Sequence, residues 1–149
     1  MTITRRAILA IGAAFIAAPA FAMQPMWFAE AGPAIGGYDP VAYFDENGPV
    51  KGDAAFTSEY EGGVFHFASA ENKASFDAAP ADFAPQYGGY CAYAVSRGYT
   101  APTDPDAWSI HEGKLYLNFN KSVRTLWATQ KTKNIEAANE NWPAVLNEG

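Results

Sequence analysis

Two stretches of the chain alternate apolar and polar residues on either side of a Glu-Gly step, at Glu61-Gly62 and at Glu112-Gly113. Short alternating runs separated by a glycine-containing turn are typical of β-hairpins. The flanking runs are Phe56–Tyr60 with Val64–Phe67, and Trp108–His111 with Lys114–Phe119. Because an isolated two-stranded hairpin is only marginally stable, we expect the two hairpins to make one small antiparallel sheet covered by short helices.

The residues around the first hairpin carry the start and stop signals of short helices. Asp39-Pro40 suits the first turn of a helix that ends at Asn47-Gly48-Pro49, since Asp is a good cap and proline is accepted at the first helical position. Ser69 can cap the helix that follows the hairpin, and Phe76 falls on the face that this helix should bury.

The second half of the chain carries similar start and stop signals. Residues 88–97 fit a helix that ends at Gly98, and this interpretation is favoured over the alternative, a strand. Ser122–Thr129 and Asn134–Trp142 read as closing helices. Together with the hairpins, these helices predict the α+β class.

The first 22 residues have the three parts of an export signal. Arg5-Arg6 precedes the apolar run Ala7–Ala18, and Ala20-Phe21-Ala22 is a small-x-small cleavage site that predicts cutting before Met23. The paired arginines also resemble a twin-arginine signal. The apolar run is shorter than the roughly 20 residues of a permanent membrane helix, so the mature protein should be periplasmic or secreted, with no stable membrane span.

Cleavage leaves 127 residues (149 − 22), which is enough for one domain with a single core. Residues 23–34 show no periodicity and contain Gly32-Pro33, and this predicts a flexible arm. Residues 35–149 should form one domain, in which the sequence shows no internal repeat.

The mature chain is acidic. Loss of Arg5 and Arg6 leaves 8 basic and 16 acidic side chains, a net charge of 8 − 16 = −8. Nucleic acid is therefore an unsuitable partner, because phosphate binding requires basic patches. A metal ion, a small ligand or a periplasmic partner protein remain the partners that the composition allows.

Cys91 is the only cysteine, and it lies in the run Gln-Tyr-Gly-Gly-Tyr-Cys-Ala-Tyr at positions 86–93. An unpaired thiol in an oxidising compartment is a buried small hydrophobe, a reactive group or a metal ligand. If Cys91 lies in the first turn of the predicted helix, the helix start should favour its thiolate. The many aromatic residues near this run are expected either to pack in the hydrophobic core or to line a ligand pocket.

Several of these segments resemble a known family. Asp39-Pro40-Val41, the hairpin 60–67 and Asn72–Phe76 are similar to the core of a YHS domain, a small module tied to metal handling. Residues 84–95 and 115–118 resemble an exported branch of that family, which includes selenoprotein-like members.

This resemblance implies different chemistry in different relatives. Many YHS domains carry cysteines at three places where this chain has Ala42, Ala68 and Asn72, and a thiolate metal site cannot be built from those residues. The exported branch retains the cysteine that corresponds to Cys91, and its selenoprotein-like members imply thiol or selenol redox chemistry there.

His66 and His111 are the only histidines, one in each hairpin. A thiolate and imidazole set suits copper or zinc, so the leading hypothesis is an exported YHS-type binding module with a metal site at Cys91, His111 and His66. The first alternative is a single-thiol redox protein with Cys91 as its nucleophile. The second is a non-catalytic interaction domain in which Cys91 is buried. No motif of a classical enzyme is present.

Overall fold

Two β-hairpins and a set of short helices make up the described part of the chain, which confirms the predicted α+β class. The structure is a computed structural model and describes residues 23–30, 32–45 and 48–147. The predicted export signal, residues 1–22, lies outside the described residues. No helix within these ranges is long and apolar enough to cross a membrane.

The hairpins form where the Glu-Gly steps predict them. Strands β1 (Asp53–Tyr60) and β2 (Gly63–Phe67) pair antiparallel, as do β3 (Trp108–His111) and β4 (Lys114–Leu117). Both residues of each turn have positive φ, 47° and 84° in the first and 49° and 74° in the second, as the tight type I′ turn requires. The hairpins remain two separate sheets, which corrects the expected single sheet.

In the part of the chain that the structure describes, five α-helices cover the hairpins: α1 (Ala70–Ala78), α2 (Pro80–Phe83), α3 (Ala92–Ser96), α4 (Lys121–Ala128) and α5 (Lys131–Asn141). Single 3₁₀ turns occupy Ala34–Gly37, Ala42–Asp45, Gln86–Gly89 and Ala144–Asn147. Ser69 caps α1 as predicted, because its side chain accepts a hydrogen bond from the Asn72 amide at 3.1 Å. Phe76 on that helix is buried.

The core consists of three groups of buried side chains. One lies between β2 and α1, where Phe65, Phe67 and Phe76 pack with ring centroids 5.0 to 5.1 Å apart. The second surrounds Tyr116 and Trp127, between β4, α3, α4 and α5. A smaller third group joins the two hairpin regions and contains Ile35, Tyr43, Leu115 and Leu117. Burial of these large side chains is the main stabilising contribution to the domain.

The segment 23–30, expected to be part of a flexible arm, is packed against the domain. Trp27 is buried, and its ring lies 5.0 Å from that of Phe65. The Phe28 amide donates to the Gly88 carbonyl at 2.7 Å. The prediction was wrong because it rested on the lack of periodicity, whereas single aromatic side chains are enough to anchor a segment that has no regular secondary structure.

The second half of the molecule repeats the first, which corrects the expectation of no internal repeat. Ile35 and Gly36 have φ/ψ of 48°/39° and 67°/15°, and Tyr87 and Gly88 have 57°/37° and 62°/15°. Each of these turns leads into a short helix, then a hairpin with a Glu-Gly turn, then a helix capped by a side chain. The sequence does not reveal the repeat, because the two halves share few residues other than those of these turns.

Candidate functional site

Cys91 lies at the start of α3, in the interior between that helix and the end of β4. Its side chain is 1% exposed. The Phe119 amide donates to Sγ at 3.3 Å, and Sγ lies 3.6 Å from Oδ1 of Asn118. The sulfur therefore contacts one main-chain amide and one side-chain oxygen, and both belong to residues that follow β4.

Burial raises the pKa of the Cys91 thiol above its ordinary value, although the main-chain N–H groups of Ala94, Phe119 and Tyr93 near the sulfur act in the opposite direction. The helix start was expected to favour the thiolate. That expectation was wrong, since loss of water around the sulfur outweighs the effect of these N–H groups. The thiol form therefore predominates at neutral pH.

The two histidines lie in different sheets. His66, in β2, pairs with Thr57 and lies next to Gly37, where a Cβ would meet its Nδ1 at 3.5 Å. His111, in β3, pairs with Lys114 beside the second turn. Within the described ranges, no group of three or more His, Cys, Asp or Glu side chains could hold a metal ion, so Cys91, His66 and His111 do not come together as one set of ligands.

Asp39 organises the first half of the molecule, and the sequence suggested only its capping role. It is fully buried, and Oδ1 accepts from the Val41 and Ala42 amides at 2.8 and 3.3 Å. Oδ2 accepts from the Ala68 amide at 2.8 Å and from Asn72 Nδ2 at 2.7 Å. The three positions where many YHS domains have cysteines thus converge on one carboxylate.

The family comparison covers the partners of this carboxylate but not Asp39 itself. Residues 41–87 match the YHS domain family. This part of the chain is a YHS domain. No curated protein and no solved structure gives a significant match to the chain. Cys91 and the second hairpin lie beyond the end of the YHS domain, so the resemblance of that part to an exported branch stays a prediction.

A cleft in the described residues lies between the turn Ala34–Gly37 and the loop 102–105, and it has a volume of about 630 Å³. Its wall includes aromatic, charged and hydroxyl side chains: Phe28, Glu30, Tyr38, Tyr43, Lys51, Thr103, Asp104 and Phe119. This volume suits a small organic molecule. Phe119 is an exposed aromatic residue, 49% accessible, in a domain whose other large side chains are mostly packed.

One charged group of the cleft, Lys51, lies over a tyrosine ring. Lys51 Nζ donates to the Gly36 carbonyl at 2.6 Å and lies 4.8 Å from the centroid of Tyr38. The ring of Tyr38 therefore already faces an ammonium group. Tyr43 closes the floor, where its hydroxyl donates to the Pro105 carbonyl at 3.0 Å, and burial raises its pKa, which keeps it neutral.

Proposed function

We propose that this protein is an exported binding module that takes a small organic cation in the cleft between Ala34–Gly37 and 102–105. The observation that carries the proposal is the combination of size, aromatic wall and charge in that cleft. The export part rests on the signal-like residues 1–22. The YHS domain is compatible with a binding role rather than with one particular reaction.

The charge of the cleft favours a positively charged ligand. Glu30 and Asp104 lie on the wall with a single lysine, Lys51, whose ammonium group is bound to the Gly36 carbonyl. The chain as a whole carries a net charge of −6. The exposed aromatic ring of Phe119 would contact the ligand and its positive charge, whereas the ring of Tyr38 is already faced by Lys51.

The test uses benzyltrimethylammonium as the ligand and benzyl alcohol as its neutral aromatic counterpart. We expect the cation alone to shift the amide signals of Gly36, Lys51 and Thr103 in a two-dimensional NMR titration. Asp104→Asn keeps the oxygen that accepts the Asp106 amide and should weaken binding by up to about fivefold, since an exposed charge pair contributes up to about 1 kcal/mol. Glu136→Gln, on the exposed side of α5, is the matched control.

Equal shifts with both compounds would contradict the charge argument, and shifts that map elsewhere would contradict the cleft. If Asp104→Asn weakens binding of the cation less than Glu136→Gln does, Asp104 is not the carboxylate that attracts the ligand.

Copper or zinc bound through Cys91 with His66 and His111 is the second candidate, and the YHS domain is its support. Against this candidate, Cys91 is buried and, within the described residues, the two histidines do not join it in a group of ligands. Elemental analysis of the exported protein beside Cys91→Ala tests this function. Stoichiometric metal that the variant loses would establish it.

A further inference from the structure

Cys91 occupies the position in the second half that Asp39 occupies in the first. Both residues follow a Gly-Gly-Tyr turn, and the offset between them is 52 residues (91 − 39). The Asp39 amide donates to the Val50 carbonyl at 2.8 Å, and the Cys91 amide donates to the Ala101 carbonyl at 3.0 Å. The main chain therefore holds the two side chains in the same local setting.

The side chains also receive a corresponding hydrogen bond. The Ala68 amide, one residue after β2, donates to Asp39 Oδ2 at 2.8 Å. The Phe119 amide, two residues after β4, donates to Cys91 Sγ at 3.3 Å. The thiol thus lies where the first half of the molecule places an anionic carboxylate.

The surroundings of Cys91 contain more donors than one sulfur atom accepts. The Tyr93 amide is the counterpart of the Val41 amide that bonds to Asp39, but here it donates to Asn118 Oδ1 at 3.1 Å. Asn118 is fully buried, and its Nδ2 has no hydrogen-bond partner. A buried amide N–H without a partner is unfavourable, and Oδ1 of the same carboxamide lies 3.6 Å from Sγ, so a rotation of this group would bring Nδ2 to an acceptor formed at Cys91.

We propose that Cys91 is a modification site, oxidised by hydrogen peroxide to a sulfinate that takes the role of the Asp39 carboxylate. In a sulfinate, as in the carboxylate of aspartate, the atom bonded to Cβ carries two oxygens, and these oxygens share one negative charge. The thiolate attacks one peroxide, the O–O bond breaks, and a sulfenic acid forms with hydroxide. The sulfenate then attacks a second peroxide to give the sulfinate and water.

The balance is R–SH + 2 H₂O₂ → R–SO₂⁻ + H⁺ + 2 H₂O, in which each peroxide accepts two electrons from sulfur. The new oxygens accept the Phe119 and Tyr93 amides. Asn118, released by Tyr93, turns its carboxamide so that Nδ2 donates to the sulfinate, as Asn72 Nδ2 donates to Asp39 at 2.7 Å. The orphaned donor beside Cys91 is then satisfied.

Phe119, whose amide donates to the sulfur, has an exposed side chain that also forms part of the cleft wall. Because Cys91 itself is 1% exposed, oxidation should be slow and limited to small oxidants. The product is held more firmly than the reactant, since a charged acceptor forms stronger hydrogen bonds than a thiol. The proposal is independent of the ligand in the cleft.

The first experiment treats the folded mature protein with hydrogen peroxide and locates added oxygen by peptide mass spectrometry. We expect Cys91 to gain two oxygen atoms, and the oxidised protein to unfold cooperatively at a Tm equal to or above that of the thiol form. Peptide mapping separates this change from oxidation of the exposed residues Met23 and Met26. Cys91 that gains no oxygen before unfolding, or an oxidised form with a lower Tm, would overturn the proposal.

The second experiment compares Cys91→Asp, which imitates the sulfinate, with Cys91→Asn, which has the same shape without the charge. We expect the aspartate variant to melt at the higher temperature, and its advantage to shrink when Asn118→Leu removes the donor. An aspartate variant that melts no higher than the asparagine variant would contradict the claim of an anion-accepting site. If neither variant folds, the peroxide experiment on the wild type decides.

Discussion

Replacement of Asp39 by alanine should be among the most damaging single changes in the domain. The carboxylate is fully buried and accepts four N–H groups, from Val41, Ala42, Ala68 and Asn72. Alanine would leave these donors without their acceptor and would detach the first short helix from the end of β2.

The hydrogen bonds set the magnitude of the loss. Two of the donors are buried and two are part-buried, and at about 1.5 kcal/mol for a buried donor and about 0.5 kcal/mol for a part-buried one the loss is about 4 kcal/mol. Cys91→Ala removes the hydrogen bonds of Sγ with the Phe119 amide and with Asn118 Oδ1, together with a small apolar contact, for which we expect about 1.5 kcal/mol.

Urea unfolding followed by tryptophan fluorescence measures both values, and an unchanged m-value would show that the unfolded states are comparable. Asp45→Ala is the matched control, because Asp45 is exposed and lies in the short helix that follows Asp39. It should change stability by less than about 0.5 kcal/mol. If Asp39→Ala costs no more than Cys91→Ala, the assigned role of the carboxylate is incorrect.

Three further changes test the fold. Gly88→Ala should lower the free energy of unfolding, measured in urea, far more than Gly98→Ala. Both glycines have positive φ, but a Cβ at Gly88 would overlap a main-chain oxygen, whereas the space around Gly98 is open. Gly98→Ala should therefore cost only about 1–2 kcal/mol. Ser69→Ala and Asn120→Ala each remove a helix cap and should lower stability by about 1 kcal/mol, again by urea unfolding; no loss in either would refute the capping roles. Because burial raises the pKa of Cys91, the contribution of this thiol to stability is complete below pH about 8.5 and declines as the pH rises through the raised pKa. Wild type should therefore lose its stability advantage over Cys91→Ala in alkaline buffer. A difference that stays constant with pH would contradict this.

Local signals predicted most of the secondary structure because the causes are local. The Glu-Gly steps specify tight turns that need positive φ, and both turns adopt it. Ser69 caps the helix that follows it because a serine oxygen reaches the amide three residues ahead. The helix interpretation of residues 88–97 is confirmed for Ala92–Ser96, with a separate 3₁₀ turn at Gln86–Gly89 before it.

The sequence by itself determined the α+β class and the positions of the two hairpins, since alternation, turns and caps depend on neighbouring residues. Only the tertiary structure decided that the hairpins remain apart, that the two halves repeat, and that Trp27 anchors the N-terminal segment. It also decided the character of Cys91. Its sulfur contacts the side chain of Asn118 and the amide of Phe119, and contacts between residues 27 and 28 positions apart depend on how the whole chain packs.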